Sequence, residues 1–168
     1  MTQENKDKHT ILMLQARIKT LEEEVVKYKF DHLTGLPVRI DFQPMYETFM
    51  HDCNMFQKSF VLAIVDINNL KIINDDDGYL VGDSIIVSVG NALTHILHDS
   101  NVFRIGGDEF AILSRTETVE SLYEKLENSS NIESQITVGA SVSVDFSDCS
   151  TLFSKVDRLM KEKKTNGR

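Results

Sequence analysis

Cysteine is scarce in this chain, basic residues are outnumbered, and no long apolar run occurs. Each shortage removes a class of answers. The two cysteines, Cys53 and Cys149, form no CxxC or Cys/His spacing, so neither a disulfide framework nor a zinc site is supported. A reducing, cytoplasmic setting is the expectation. Lysine and arginine number 18 against 26 aspartates and glutamates, a formal charge of −8. That balance opposes non-specific binding to nucleic acid or to an anionic membrane, since both need basic surface. No stretch approaches the roughly 20 apolar residues of a membrane span. Residues 1–8 are too polar for a signal peptide, so no membrane segment is expected.

What is there fits one globular unit behind a helical stalk. The chain has 168 residues, 41% hydrophobic and 26% charged, enough to bury a core without disulfides or structural metal. Ile11, Leu14, Ile18, Leu21, Val25 and Tyr28 alternate steps of three and four, the a/d seam of a coiled coil. Charged residues flank the seam, and neither Gly nor Pro falls between Thr10 and Lys29. The stripe could instead pack on its own domain, but its narrowness favours self-association. Residues 1–30 are therefore expected to form a stalk that makes a homodimer, and residues 31–168 a separate domain.

Gly35 and Pro37 end the stalk. Residues 38–56 read as a helix with Phe42, Met45, Phe49 and Cys53 on one face. Residues 59–67 form a short apolar run rich in β-branched residues, which reads as a buried central strand ending in Asp66. Residues 68–77 are polar. An amphipathic helix over 81–97 turns Ile85, Val89 and Leu93 inward. Residues 102–105 and 110–113 are strands joined by a bend at Gly106-Gly107. A helix over 118–127, a strand over 135–146 and a helix over 149–164 complete the order. A β-α-β-β-α-β core of this kind predicts an α+β domain with a mostly antiparallel sheet and helices on one face.

The chemistry is expected among carboxylates. Asp66 closes a buried strand, where a charge is costly without a partner. Asp108 and Glu109 follow the glycine bend. If the hairpin adjoins the Asp66 strand, these acids converge, and a divalent cation relieves their repulsion. Hard oxygen ligands select Mg²⁺ or Mn²⁺. Gly106 and Gly107 leave backbone open to a triphosphate. Metal-assisted nucleotidyl transfer needs this set of parts. A Gly-Gly-Asp-Glu turn also arises as a solvated loop, and Asp66 could be a helix N-cap.

The stretch Arg104-Ile105-Gly106-Gly107-Asp108-Glu109-Phe110 resembles the signature of the GGDEF-domain diguanylate cyclases. Three further blocks match in order. Asp31-His32-Leu33-Thr34-Gly35-Leu36-Pro37, with Arg39 behind it, is similar to the opening block. Asp66 through Asp75, then Gly78 through Asp83, is similar to the upstream block. Val156-Asp157 through Arg168 is similar to the closing block. The resemblance covers residues 31–168 and implies a palm-like nucleotidyl cyclase fold flanked by helices. It implies condensation of two GTP into cyclic di-GMP, with one GTP per subunit of a dimer. It further implies that Asp66, Asp108 and Glu109 hold Mg²⁺ or Mn²⁺, with the Ile67 carbonyl, and that Asp108 is the base for the 3′-hydroxyl. Asn74 and Asp83 would read guanine. Lys71, Lys164 and Arg168 would hold phosphates, helped by the Asn69 and Leu70 amides beside Gly106 and Gly107.

Several positions depart from the family pattern. Asn68 stands for a common Asp, Leu70 for Phe, and Tyr79 for His. Leu97 and Ser100 replace the Arg and Asp of the family's product-inhibition site, so no tight feedback through it is expected. Gly139-Ala140-Ser141 replaces Ser-Ile-Gly, Lys161 an aromatic, and Lys163 an alanine. A degenerate domain that binds GTP or scaffolds a partner is the alternative reading, and the uneven closing block is its support. An adenine-containing product is a third, opposed by Asp83. His95 and His98 have a metal-pair spacing but no third ligand, and residues 75–77 lack EF-hand spacing.

Overall fold

The computed structural model describes residues 3–129, 136–143 and 151–166. The chain divides into two compact units, Met1–Phe30 and Asp31–Arg168. The first carries helix α1, Gln3–Lys27. Ile11, Leu14, Ile18, Leu21 and Tyr28 are all exposed.

In the second unit the elements run α2 (Arg39–Phe56), β1 (Phe60–Ile67), α3 (Leu70–Asp77), α4 (Tyr79–Ile96), β2 (Asn101–Arg104), β3 (Glu109–Ser114), α5 (Val119–Glu127), β4 (Ile136–Ser143) and α6 (Leu152–Asn166). The four strands lie in the order β2-β3-β1-β4, and every pairing is antiparallel.

Strand β1 is central and buried along its whole length. Its alternate residues serve two cores, because side chains in a strand alternate between faces. Val61, Ala63, Val65 and Ile67 pack with Ile86, Val89 and Leu93 of α4 and Leu122 and Leu126 of α5. Phe60, Leu62 and Ile64 pack with Phe42, Phe49 and Cys53 of α2 and Leu152, Val156 and Met160 of α6. Helices therefore cover both faces, not one as the element order alone suggests. The continuous apolar run is what a strand buried on both sides requires.

The polar stretch 68–77 is helix α3 for most of its length. Only Leu70 of α3 is buried, so the rest reads as polar while remaining helical. On α2, Met45 is 37% exposed and Tyr46 packs on the core instead, stacked on Phe42. Helix α5 begins with a capping box, Thr118 accepting from the Ser121 amide and Ser121 from the Thr118 amide. The predicted ends of the last strand at 135 and 144–146, and the first residues of the last helix, 149–150, lie outside the described residues. Among the described residues no helix is long and apolar enough to cross a membrane.

Candidate active site

Register places the acids. Asp66 pairs with Glu109 across β1 and β3. Directly opposed residues of an antiparallel pair point to the same face, with Cβ atoms about 5 Å apart, and like charges so placed repel. That face is the one covered by α2 and α6. The Asp108 carbonyl accepts from the Ile67 amide at 2.9 Å, which ties the glycine turn to the end of β1. Asp66 is only 5% exposed. Its Oδ1 is buried without a donor hydrogen, although the residue is engaged through other interactions.

Electrostatics carry the same message. Burial pushes the Glu109 carboxyl above its ordinary value, and the charges of Asp108, Asp66 and Asp157 push it further, against a smaller opposing pull from Arg39. The nearby negative charges oppose ionisation of Glu109, and a hard divalent cation would relieve that repulsion. Carboxylate oxygens are the donor type that Mg²⁺ or Mn²⁺ prefers. Among the described residues no three such side chains converge into a ready-made cation cage. The fit rests on donor type and charge.

The turn is open where a phosphate would approach. Gly107 is exposed, and a Cβ there would meet nothing within 4 Å. Gly106 is constrained differently, since a Cβ would stand 2.9 Å from Glu109 Oε2 and displace that carboxylate. The turn is also clamped from behind. Arg104 donates from Nη1 to Asp31 Oδ1 and from Nη2 to the Gly107 carbonyl, both at 2.7 Å. Asp31 Oδ1 also accepts from the Thr34 amide and hydroxyl, at 2.8 and 2.7 Å. Burial alone would raise the Asp31 pKa, but the hydrogen bonds from Arg104 and Thr34 and the Arg104 charge outweigh it and leave the carboxyl below its ordinary range. The opening block is thus a brace for the glycine turn.

The base-reading candidates meet at the corner between α3 and α4. Gly78, at φ +89°, turns the chain, and its amide donates to the Asn74 carbonyl at 3.1 Å. Asn74 lies against Gly82, next to Asp83, and both Asn74 and Asp83 are half-buried. Asn69 has left-handed backbone at φ +57° and leads into α3, whose first residues are Leu70, buried, and Lys71, exposed. Lys164 lies near the end of α6, and Arg168 falls outside the described residues.

Three residues near Glu109 were given no role by sequence. Arg39 at the start of α2 and Asp157 on α6 both act on its charge. Lys161 donates to Asp157 at 2.7 Å. That hydrogen bond, the Asp157 charge and, more weakly, Glu109 raise the Lys161 pKa. The Asp157–Lys161 spacing of four on a helix was visible in the sequence. The long-range approach of Arg39 was not. His98 pairs with its exposed neighbour Asp99, and residues 75–77 are exposed on α3.

With this geometry, known proteins become comparable. The family model for the diguanylate cyclase GGDEF domain matches residues 28–168, and the chain belongs to that family. It is 30% identical over 158 residues to the diguanylate cyclase DgcZ of Escherichia coli (strain K12), covering 85% of this chain and 52% of DgcZ. It is 32% identical over 87 residues to the cyclic di-GMP phosphodiesterase NbdA of Pseudomonas aeruginosa, covering 51% of this chain and 11% of NbdA. The chain thus spans about half of DgcZ and a small part of NbdA. A crystal structure of the coiled coil and GGDEF domain of DgcB from Caulobacter crescentus, in complex with c-di-GMP, shares the fold. Its TM-score is 0.76 at 19% identity, covering 100% of this chain and 97% of that one.

Proposed function

We propose that this chain is an active diguanylate cyclase, joining two GTP into cyclic di-GMP with release of two pyrophosphates. The observation that carries this reading is the pairing of Asp66 with Glu109 beside a glycine turn fastened to β1 through the Asp108 carbonyl. Asp66, Asp108 and Glu109, with the Ile67 carbonyl, would hold Mg²⁺ or Mn²⁺. When bound, the ion lowers the pKa of a coordinated hydroxyl and offsets phosphate charge. The Asp108 carboxylate accepts the proton of the 3′-hydroxyl. Lys71, Lys164 and Arg168 hold phosphates together with the Asn69 and Leu70 amides, and Gly107 gives the triphosphate access. Asp83 accepts from guanine N1–H and the 2-amino group, a pattern adenine lacks, and Asn74 contacts the same base.

Each domain would hold one GTP, so two domains must face each other. The exposed stripe of α1 supports a homodimer paired through that helix, which raises the local concentration of the second half-site. Leu97 is buried in the core and Ser100 donates to Ser114 Oγ at 2.9 Å, and neither carries the charge of the Arg and Asp in the family's product-inhibition site. A second reading, a GTP-binding module without turnover, has one observation in its favour. Lys161 is paired with Asp157, and Lys163 sits over the Tyr123 ring at 3.9 Å, where the family pattern has an aromatic and an alanine.

Incubation with GTP, ATP or both plus Mg²⁺, with products identified by mass, decides between them. Cyclic di-GMP from GTP alone, abolished by Asp108→Asn, is the expected result. Bound GTP without product would establish the second reading.

A further inference from the structure

We propose that Gly82 is a specificity-determining residue for the purine base, because its missing side chain is the seat of the Asn74 carboxamide. The proposal rests on the reading that Asn74 and Asp83 recognise guanine. Gly82 is the fourth residue of α4 and is buried. A glycine inside a helix is a poor helix former, so its presence needs a cause. Positive φ is not the cause, since Gly82 has ordinary helical backbone, unlike Gly35 and Gly78.

The neighbour supplies the cause. A Cβ at Gly82 would lie 1.9 Å from Asn74 Oδ1 and 2.9 Å from Asn74 Cγ, with Leu70 Cδ1 next at 3.3 Å. The first two distances are impossible contacts, and both involve the outer end of one side chain. The Asn74 amide group therefore fills the space a side chain at position 82 would take. The bend at Gly78 creates this packing by folding the start of α4 back over α3, where the Gly82 amide bonds the Gly78 carbonyl at 3.4 Å.

The seat also orients the amide. Asn74 Oδ1 is buried and accepts no hydrogen bond. A buried acceptor left without a donor destabilises the fold, and such groups persist where function fixes them. With Oδ1 held against Gly82, the Nδ2 end of the planar group points away from that contact. A donor there complements O6 of guanine, an acceptor where adenine carries an amino donor. Asp83, the next residue along α4, is an acceptor. Donor and acceptor from two helices are thus set side by side at one corner.

The consequence is a division of effects. A methyl group at position 82 displaces the Asn74 side-chain end and shifts the Leu70 methyl by a few tenths of an ångström, which is cheap for the fold. It also swings Asn74 out of register with the base, which is costly for recognition.

Nucleotide binding tests this with 3′-deoxy-GTP and 3′-deoxy-ATP, which lack the attacking hydroxyl and bind without reacting. In the full chain with Mg²⁺, Gly82→Ala should weaken 3′-deoxy-GTP about tenfold, the scale of one lost hydrogen bond. The 3′-deoxy-ATP affinity should stay within about twofold, and the melting temperature at or above that of the unsubstituted protein. Gly90→Ala, on the same helix but facing apolar atoms at 3.3 Å or more, should change neither affinity. In an Asn74→Ala background, Gly82→Ala should add less than about a twofold loss, since its target is gone.

An unchanged guanine preference in Gly82→Ala, equal losses for both nucleotides, or a full second loss in the Asn74→Ala background would each overturn the inference. Should Gly82→Ala not fold, the Asn74→Ala/Gly82→Ala pair must fold and bind as Asn74→Ala does. A pair that also fails to fold overturns it. If Asn74→Ala is itself silent, base reading by Asn74 falls too. If Asn74→Ala discriminates poorly and Gly82→Ala is silent, only the role of Gly82 is lost.

Discussion

Removing the Arg104 guanidinium should cost this domain about 2–3 kcal/mol, and the reason lies in what the group holds. Arg104 and Asp31 are each 13% exposed at the side chain, and their ion pair spans 2.7 Å. Exposed pairs contribute about 0.2–1 kcal/mol, while stripping one member from a buried pair costs about 3–5 kcal/mol. This pair lies nearer the buried case. Two features fix its position in that range. The second guanidinium bond, to the Gly107 carbonyl, adds to the loss, and the Arg104 Nε, buried without an acceptor, subtracts from it.

Urea unfolding of Arg104→Met, Asp31→Asn and the double variant forms the cycle that isolates the pair, with an expected coupling of about 1–2 kcal/mol. The pH dependence supplies an independent check. The Asp31 pKa is depressed in the folded state. Its contribution is therefore complete above the unfolded value near 3.9 and is lost as pH falls through the lower folded value. The stability gap between the unsubstituted protein and Asp31→Asn should be constant from pH 7 to about pH 5 and shrink below about pH 4. A coupling below about 0.3 kcal/mol, or a gap indifferent to acid, would refute the assignment of a charged, enclosed clamp.

Three further outcomes follow from other residues. Glu109 has a raised folded pKa, so its ionised form opposes folding once the pH exceeds that value. Glu109→Gln should therefore raise the metal-free stability near neutral pH by less than about 1 kcal/mol, while weakening Mg²⁺ stabilisation, both read by calorimetry. Adding cyclic di-GMP should leave the initial rate of cyclisation unchanged, because Leu97 is buried and Ser100 carries no charge; a steep fall in rate at low product would contradict this. Deleting residues 1–29 should lower activity more at low protein concentration than at high, and an equal loss throughout would count against pairing through α1.

Legibility in the sequence followed locality. The central strand announced itself because both of its faces are apolar, and the hairpin because two glycines interrupt two short apolar runs. Asp66 beside Glu109 was predictable once the hairpin was placed next to β1. Helix α3 was not, since one buried residue, Leu70, gives no periodicity to detect. The two-sided helix cover could not be told from element order, because that order is shared by one-layer and two-layer arrangements. The Asp31–Arg104 clamp joins residues 73 apart, and no local pattern marks such a pair. The packing of Asn74 on Gly82 depends on the turn angle at Gly78, which spacing does not encode. Arg39 reaches the charge of Glu109 only through the way α2 lies on the sheet.

Strand β2 is an outer strand of the sheet and has four residues. Where it approaches the glycine turn, the Arg104 amide donates to the Pro37 carbonyl at 2.9 Å, and Val38 forms a short parallel bridge alongside. An unpaired sheet border is a template on which other chains can accrete. Here the rung nearest the glycine turn is already occupied by the protein's own preceding segment. The same few residues that brace the turn therefore also guard this border against strand addition by a neighbouring molecule.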